Sequence, residues 1–238
     1  MGIINSPCEV AAMLSEFELQ ALWLSLKVAT RSVIFTLPFA LGAAWILARL
    51  RFPGKTLFDG LVHLPLVLPP VVVGYLLLLL FGVRGPIGGW LEAVFGWRLV
   101  FSSEGASLAT AVMTAPLMIR AMRLALEAVD EGLEQAAATL GAGRLDRLVS
   151  ITLPLMMPGI LAGCVVAFAA SLGEFGAVIT FVSNVPGETQ TLPLAIYAAL
   201  QTPGGDVAAS RLAALSIVLA LAGLMASEYF AQRLRRHA

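Results

Sequence analysis

Charge is what this sequence has least of. Only 13% of its 238 residues are Asp, Glu, Lys or Arg, while 59% are hydrophobic; soluble domains carry about a quarter charged residues. Mean hydropathy is +0.89. That balance excludes an ordinary soluble domain and identifies a chain made for the bilayer. Cysteine is nearly absent: Cys8 and Cys164 lie far apart in unlike contexts, so neither a disulfide framework nor a metal spacing can be built from them. With two histidines in the chain, no Ser-His-Asp constellation can be assembled from the apolar segments. There is also no G-x-x-x-x-G-K-S/T phosphate loop. No catalytic residue, metal site or cofactor is expected, and no nucleic-acid partner. If transport is active, ATP hydrolysis must come from another subunit. Glu9, Glu16 and Glu18 precede the first apolar segment without a basic residue. A cleavable leader needs a positive n-region, so that first segment is expected to stay.

Five stretches approach the roughly 20 apolar residues that a bilayer core demands: 19–48, 57–81, 105–122, 158–182 and 212–230. The first holds Lys27, Arg31 and Pro38, and its cations are expected to snorkel to an interface. The second holds His63, Pro65, Pro69, Pro70 and Gly74. Its prolines predict a kinked or broken helix, tolerated where it is covered by protein, and His63 is expected to make a structural hydrogen bond. Residues 82–104 read as a connection whose Trp90 and Trp97 suit an interfacial belt. Residues 192–200 are too few to cross and predict a re-entrant or interfacial helix.

Under this count Arg49, Arg51, Lys55, Arg120, Arg123, Arg144, Arg147, Arg233, Arg235 and Arg236 fall on one side. Arg84, Arg98 and Arg211 fall on the other. Ten against three predicts an N-terminus outside and a C-terminus inside. The fold class is therefore an all-α membrane protein with about five transmembrane helices in one domain, 1–238.

Residues 127–159 form a polar island between apolar segments. Ala136, Ala137 and Ala138 favour a helix. Gly141 and Gly143 interrupt it as glycines do at a helix end. Arg144, Asp146 and Arg147 sit on a second short run, and Pro154 and Pro158 close the stretch. A docking surface and a plain amphipathic connection both fit that pattern.

The spacing Ala136-Ala137, Gly141, Ile151, Leu153 and Pro154 resembles the coupling loop of binding-protein-dependent ABC importer permeases: E-A-A, a Gly six residues after the Glu, then I-x-L-P. The glutamate position holds Gln135, which keeps hydrogen bonding and loses the charge, while Glu134 stands one place early. Further runs resemble the molybdate-type permease: Phe52-Pro53-Gly54-Lys55, the segment 63–75 (HLPLVLPPVVVGY), 171–177 (SLGEFGA) and 190–205 (QTLPLAIYAALQTPGG). The run at 171–177 is also similar to sulfate and thiosulfate permeases.

The resemblance implies a type I ABC importer permease fold in a bacterial inner membrane, spanning it several times. It implies a pathway formed by two copies of the permease, two ATP-binding subunits and a periplasmic oxyanion-binding protein. The substrate would be molybdate, with tungstate, sulfate and thiosulfate as alternatives. The coupling surface at 127–154 would use Glu134, Gln135, Ala136, Ala137, Gly141, Ala142, Ile151, Leu153 and Pro154. The pathway or gate would use Ser171, Gly173, Glu174, Phe175 and Gly176.

On physical grounds the glycines around Glu174 and Phe175 predict a local break, whose amide dipoles suit an anion. Glu174 is itself a poor anion ligand. It is expected to hold the break by accepting hydrogen bonds or to pair with Lys27 or Arg31, with a gating role as the alternative. Ser171, Thr180 and Ser183 are candidate hydroxyl donors. An ion-coupled secondary transporter is the competing class; it would need its own carboxylate site and an inverted repeat, and no such repeat is visible.

Overall fold

Four helices of the computed structural model are long and apolar enough to cross a membrane: Glu16–Arg49, Ser103–Glu127, Arg144–Leu172 and Asp206–Gly223. Lys55–Val67 and Pro70–Phe81 meet at 113° and reach that length and apolarity only together, which makes a fifth crossing where the bent pair counts as one span. The structure describes residues 15–235; Cys8, Glu9 and Arg236 lie outside them. In chain order the helices are α1 (Glu16–Arg49), α2 (Lys55–Val67), α3 (Pro70–Phe81), α4 (Pro86–Phe95), α5 (Ser103–Glu127), α6 (Glu131–Thr139) and α7 (Arg144–Arg147). A π-turn, Leu148–Thr152, leads into α8 (Leu153–Leu172), followed by α9 (Gly176–Val182), α10 (Leu192–Leu200) and α11 (Asp206–Arg235).

α1 starts with a capping box. Ser15 Oγ accepts from the Glu18 N–H at 3.3 Å, and the Glu18 carboxylate accepts from the Ser15 N–H at 2.8 Å. These bonds satisfy donors that the first helical turn leaves free. Glu18 also pairs with Arg211 at 3.1 Å, tying the start of α1 to the start of α11. The 34 residues of α1 make a rod of about 50 Å, longer than a bilayer core of about 30 Å. Arg31 stands midway along that rod and has polar partners. Its Nη1 reaches Glu104 Oε1 at 2.8 Å and Ser103 Oγ at 3.3 Å, at the first turn of α5.

Two apolar clusters mark the two ends of the bundle. At one end Ala40, Ala44 and Leu47 of α1 pack with Met118, Ile119, Met122 and Leu126 of α5 and with Met156, Ile160 and Ala167 of α8. Gly159 lies so close to Ala125 that an added Cβ would collide with that methyl group. Small residues permit the close backbone approach on which helix association in lipid depends. At the other end Leu24 and Val28 meet Val73 and Leu77 of α3, Ala106 and Ala109 of α5, Val178 and Phe181 of α9, and Leu194 of α10. α2 packs on the first cluster through Phe58 and Val62, and α3 on the second. The divided pair therefore carries the chain from one end to the other. Trp23, Ile34, Phe35 and Phe39 of α1 and Ile217, Val218, Leu221 and Met225 of α11 stay exposed, as lipid-facing side chains do.

Three boundaries differ from the sequence reading. The connection 82–104 contains a helix, α4, started by Pro86 at its first position, where a missing N–H costs nothing. Pro154 and Pro158 lie within α8 rather than before it. Pro154 is tolerated there because it follows the π-turn directly and sits in the first turn of the regular helix. The crossing helix thus starts at 144 and not at 158.

Candidate functional site

The polar island folds as helix, turn and helix. Asp130 caps α6, its carboxylate accepting from the Gly132 N–H at 2.8 Å. Glu131 and Glu134 fill the first turn, where negative charge opposes the helix dipole. The far end is a Schellman closure: the Gly141 N–H donates to Ala138 O and the Ala142 N–H to Ala137 O, both at 3.0 Å. Gly141 has φ +91°, and a Cβ there would meet nothing within 4 Å. Its glycine is required by the backbone and not by a neighbour. Gln135, Ala136 and Pro154 are exposed, Ala137 and Ala142 half-buried, and Ile151 and Leu153 half-buried beneath them. Sequence reasoning missed the apolar side chains beside them. Leu140 is 88% exposed and Leu145 77%, with Leu133 and Val149 also exposed. Their signal was leucine and valine inside an otherwise polar stretch.

This loop is tied to the bundle by charge. Arg49, the last residue of α1, reaches Glu131 Oε1 with Nη1 and Glu134 Oε1 with Nη2, both at 2.9 Å. Thr152 Oγ1 donates to the same Glu134 oxygen at 2.6 Å, and Arg147 Nη1 donates to the Glu134 carbonyl at 3.3 Å. Arg49 and Glu134 are 16% and 20% exposed, and Thr152 is 1% exposed. The charge that Gln135 lacks is thus carried by Glu134, one residue earlier, in a pair internal to the chain. Thr152 closes the π-turn, a rare element often found at functional places.

At the other candidate region α8 stops at Gly173 and α9 starts after Phe175. Glu174 Oε1 accepts from the Ala177 N–H at 2.9 Å, capping α9 across the break. A Cβ on Gly176 would stand 2.7 Å from Pro70 Cβ, and one on Gly74 2.6 Å from Ala177 O. The break after α8 therefore lies face to face with the proline break between α2 and α3. Phe175 packs on Tyr197 of α10, ring centroids 5.2 Å apart. Ser171 Oγ donates to Ala167 O at 2.6 Å and Thr180 Oγ1 to Gly176 O at 2.8 Å. Both hydroxyls are spent on their own helices. The Ser183 carbonyl accepts from Thr189 Oγ1 at 2.9 Å.

Glu174 pairs with neither expected cation. Arg31 is engaged by Glu104, and Lys27 makes no ion pair among the described residues. His63 Nδ1 stands 2.9 Å from the Asp59 carbonyl in its own helix, a structural contact. Among the described residues no three His, Cys, Asp or Glu side chains gather as metal ligands would.

The family described as binding-protein-dependent transport system inner membrane component matches residues 37–236. Over 226 residues the chain is 58% identical to the molybdenum transport system permease protein ModB of Escherichia coli (strain K12), covering 95% of this chain and 99% of that protein. It is 53% identical over 219 residues to ModB of Haemophilus influenzae, covering 92% and 96%. Among solved structures, a bacterial ABC transporter that imports the acidic polysaccharide alginate superposes with a TM-score of 0.75 at 19% identity, over 98% of this chain and 85% of that one. At that identity the likeness concerns the fold.

Proposed function

This chain belongs to the binding-protein-dependent transport system inner membrane component family, and from that premise we propose that it is the permease subunit of an ATP-driven molybdate importer. It is a multi-pass inner-membrane protein of the ABC importer permease fold. Two copies form the pathway, with the N-terminus outside and α6 inside. Two ATP-binding subunits grip α6 and α7, and a periplasmic binding protein delivers the anion. Molybdate follows from 58% identity over nearly the full length of a molybdenum permease.

The observation that carries the coupling role is the uncovered apolar row Leu133, Leu140, Leu145 and Val149. It lies on a loop fastened to α1 and to the Arg144–Leu172 crossing, and these side chains stay exposed among the described residues. Exposed apolar patches of that kind mark interaction sites. ATP binding would draw the nucleotide subunits together and move α6, and the bundle would follow only where α6 is coupled to it. The opposed breaks at Pro69-Pro70 and at Ser171, Gly173, Glu174, Phe175 and Gly176 are where a rearrangement could open a passage, since broken backbone is tolerated beside a cavity. Molybdate, tungstate and sulfate are dianions of one shape, so their discrimination falls to the binding protein.

The test is reconstitution of the chain with ATP-binding subunits and binding protein from the same source. ATPase activity is followed with and without molybdate-loaded binding protein, then with Leu140→Asp. Stimulation that the substitution removes supports the coupling surface. Replacing molybdate by tungstate or sulfate fixes the substrate. Uptake driven by a proton gradient without ATP would overturn the reading in favour of a secondary transporter.

A further inference from the structure

We propose that Arg49 is the positioning residue through which movement of α6 reaches the spanning helices, with Glu134 as the joint. This rests on the permease reading above. α6 has nine residues and buries none of them, so neither length nor packing holds it; isolated helices that short are marginal. Its attachment is polar. The Arg49 guanidinium holds Glu131 and Glu134, one turn apart on α6, in the forked geometry that arginine offers and lysine does not. Arg147, at the end of α7, and Thr152, at the end of the π-turn leading into α8, grip Glu134. One residue of α6 therefore joins α1 and α8 at once.

The joint also has spare donors. Arg49 Nε and Arg147 Nε are buried without a hydrogen-bond partner among the described residues. A buried donor left unmatched is costly. A small turn of α6 that exchanges acceptors among these nitrogens thus trades one incomplete arrangement for another. Two discrete arrangements of similar energy are what a switching element needs. Behind Arg49, α1 continues as one helix to Glu16, with Pro38 within it. Leu47, Ala44 and Ala40 pack on α5 and α8, and at the far end Ser25 Oγ accepts from the Leu192 N–H at 2.7 Å. A displacement at Arg49 is delivered along that helix to α10.

The test uses the full complex in proteoliposomes with molybdate-loaded binding protein. Arg49→Gln is expected to lower molybdate uptake per ATP hydrolysed by about tenfold, within the usual range of a coupling energy, while the subunits still co-purify. Arg49→Lys restores part of the loss. Glu134→Gln gives the same uncoupling, and the double variant is no worse than either single one. An unchanged ratio in Arg49→Gln, or fully additive losses, overturns the proposal.

A second readout needs no partner. In the chain alone, Arg49→Gln should raise amide exchange of α6 by about tenfold and leave α5 unchanged. Exchange unchanged in α6 also overturns it. Failure of the permease reading would look different: the wild-type chain would give no stimulation with ATP-binding subunits, whatever the state of Arg49.

Discussion

The two ends of this bundle are held by opposite means. At the loop that holds α6 and α7, Arg49, Glu131, Glu134 and Thr152 make a network of charge-assisted bonds, and the surface beyond it is open. At the opposed breaks, glycines let Pro70, Gly74, Gly176 and Ala177 touch with no room between them, and the Glu174 carboxylate accepts from the Ala177 N–H within its own segment. Charge networks are directional and can exchange partners, whereas close packing has one solution. Under the proposed function, one end would be moved by another protein and the other would stay shut until the helices behind it shift.

The largest effect should come from filling the packed end. A Cβ on Gly74 would stand 2.6 Å from Ala177 O and 2.8 Å from Thr180 Cβ. A backbone oxygen cannot swing aside as a side chain tip can. Gly74→Val should cost about 3 kcal/mol or more and leave no monodisperse species in size-exclusion chromatography. A variant that elutes and melts like wild type would show that the breaks do not meet.

That contact also marks where the sequence stopped being readable. Pro65, Pro69, Pro70 and the glycines at 173 and 176 announced two broken helices, because each removes a donor or a side chain locally. Their meeting depends on packing between segments about a hundred residues apart, which no local pattern encodes. The helix–turn–helix of α6 and α7 was legible through Gly141, whose left-handed backbone explains the glycine. That Glu134 and not Gln135 faces Arg49 depends on the phase of α6, set by the Asp130 cap. α4 was hidden because glycines and a leading proline read as a connection, although Pro86 suits a first helical position.

At the open end a comparable insult should leave the fold alone. Leu140 is 88% exposed, so Leu140→Asp loses little burial, and surface changes of this kind stay within about 0.5 kcal/mol. The expected result is an unchanged melting curve with lost stimulation of the ATP-binding subunits. Loss of fold would mean that the row is covered by a second copy of the chain instead.

Gly141 tests the same end more gently. Its φ of +91° penalises any Cβ by roughly 1–2 kcal/mol, although open space surrounds it. Gly141→Ala should fray the end of α6 and raise its amide exchange, while Gly141→Asn, which tolerates the left-handed region, should fray it less. Equal exchange in the two variants would show that the closure is not what holds the helix end.

The smallest effect is expected at Glu174. Its carboxylate bonds the Ala177 N–H and has no cationic partner within 4 Å among the described residues. Glutamine keeps an acceptor oxygen at the same reach, so Glu174→Gln should change uptake by no more than about twofold, the scale of a few tenths of a kcal/mol. Glu174→Ala removes the acceptor and should cost about 1 kcal/mol, as loss of a helix cap does. Radiolabelled molybdate uptake at matched assembly separates the two. If glutamine behaves like alanine, or worse, with assembly intact, the negative charge is what the break requires. The packed end would then also contain an electrostatic element, and the contrast between the two ends would lie in how deeply each hides its charge.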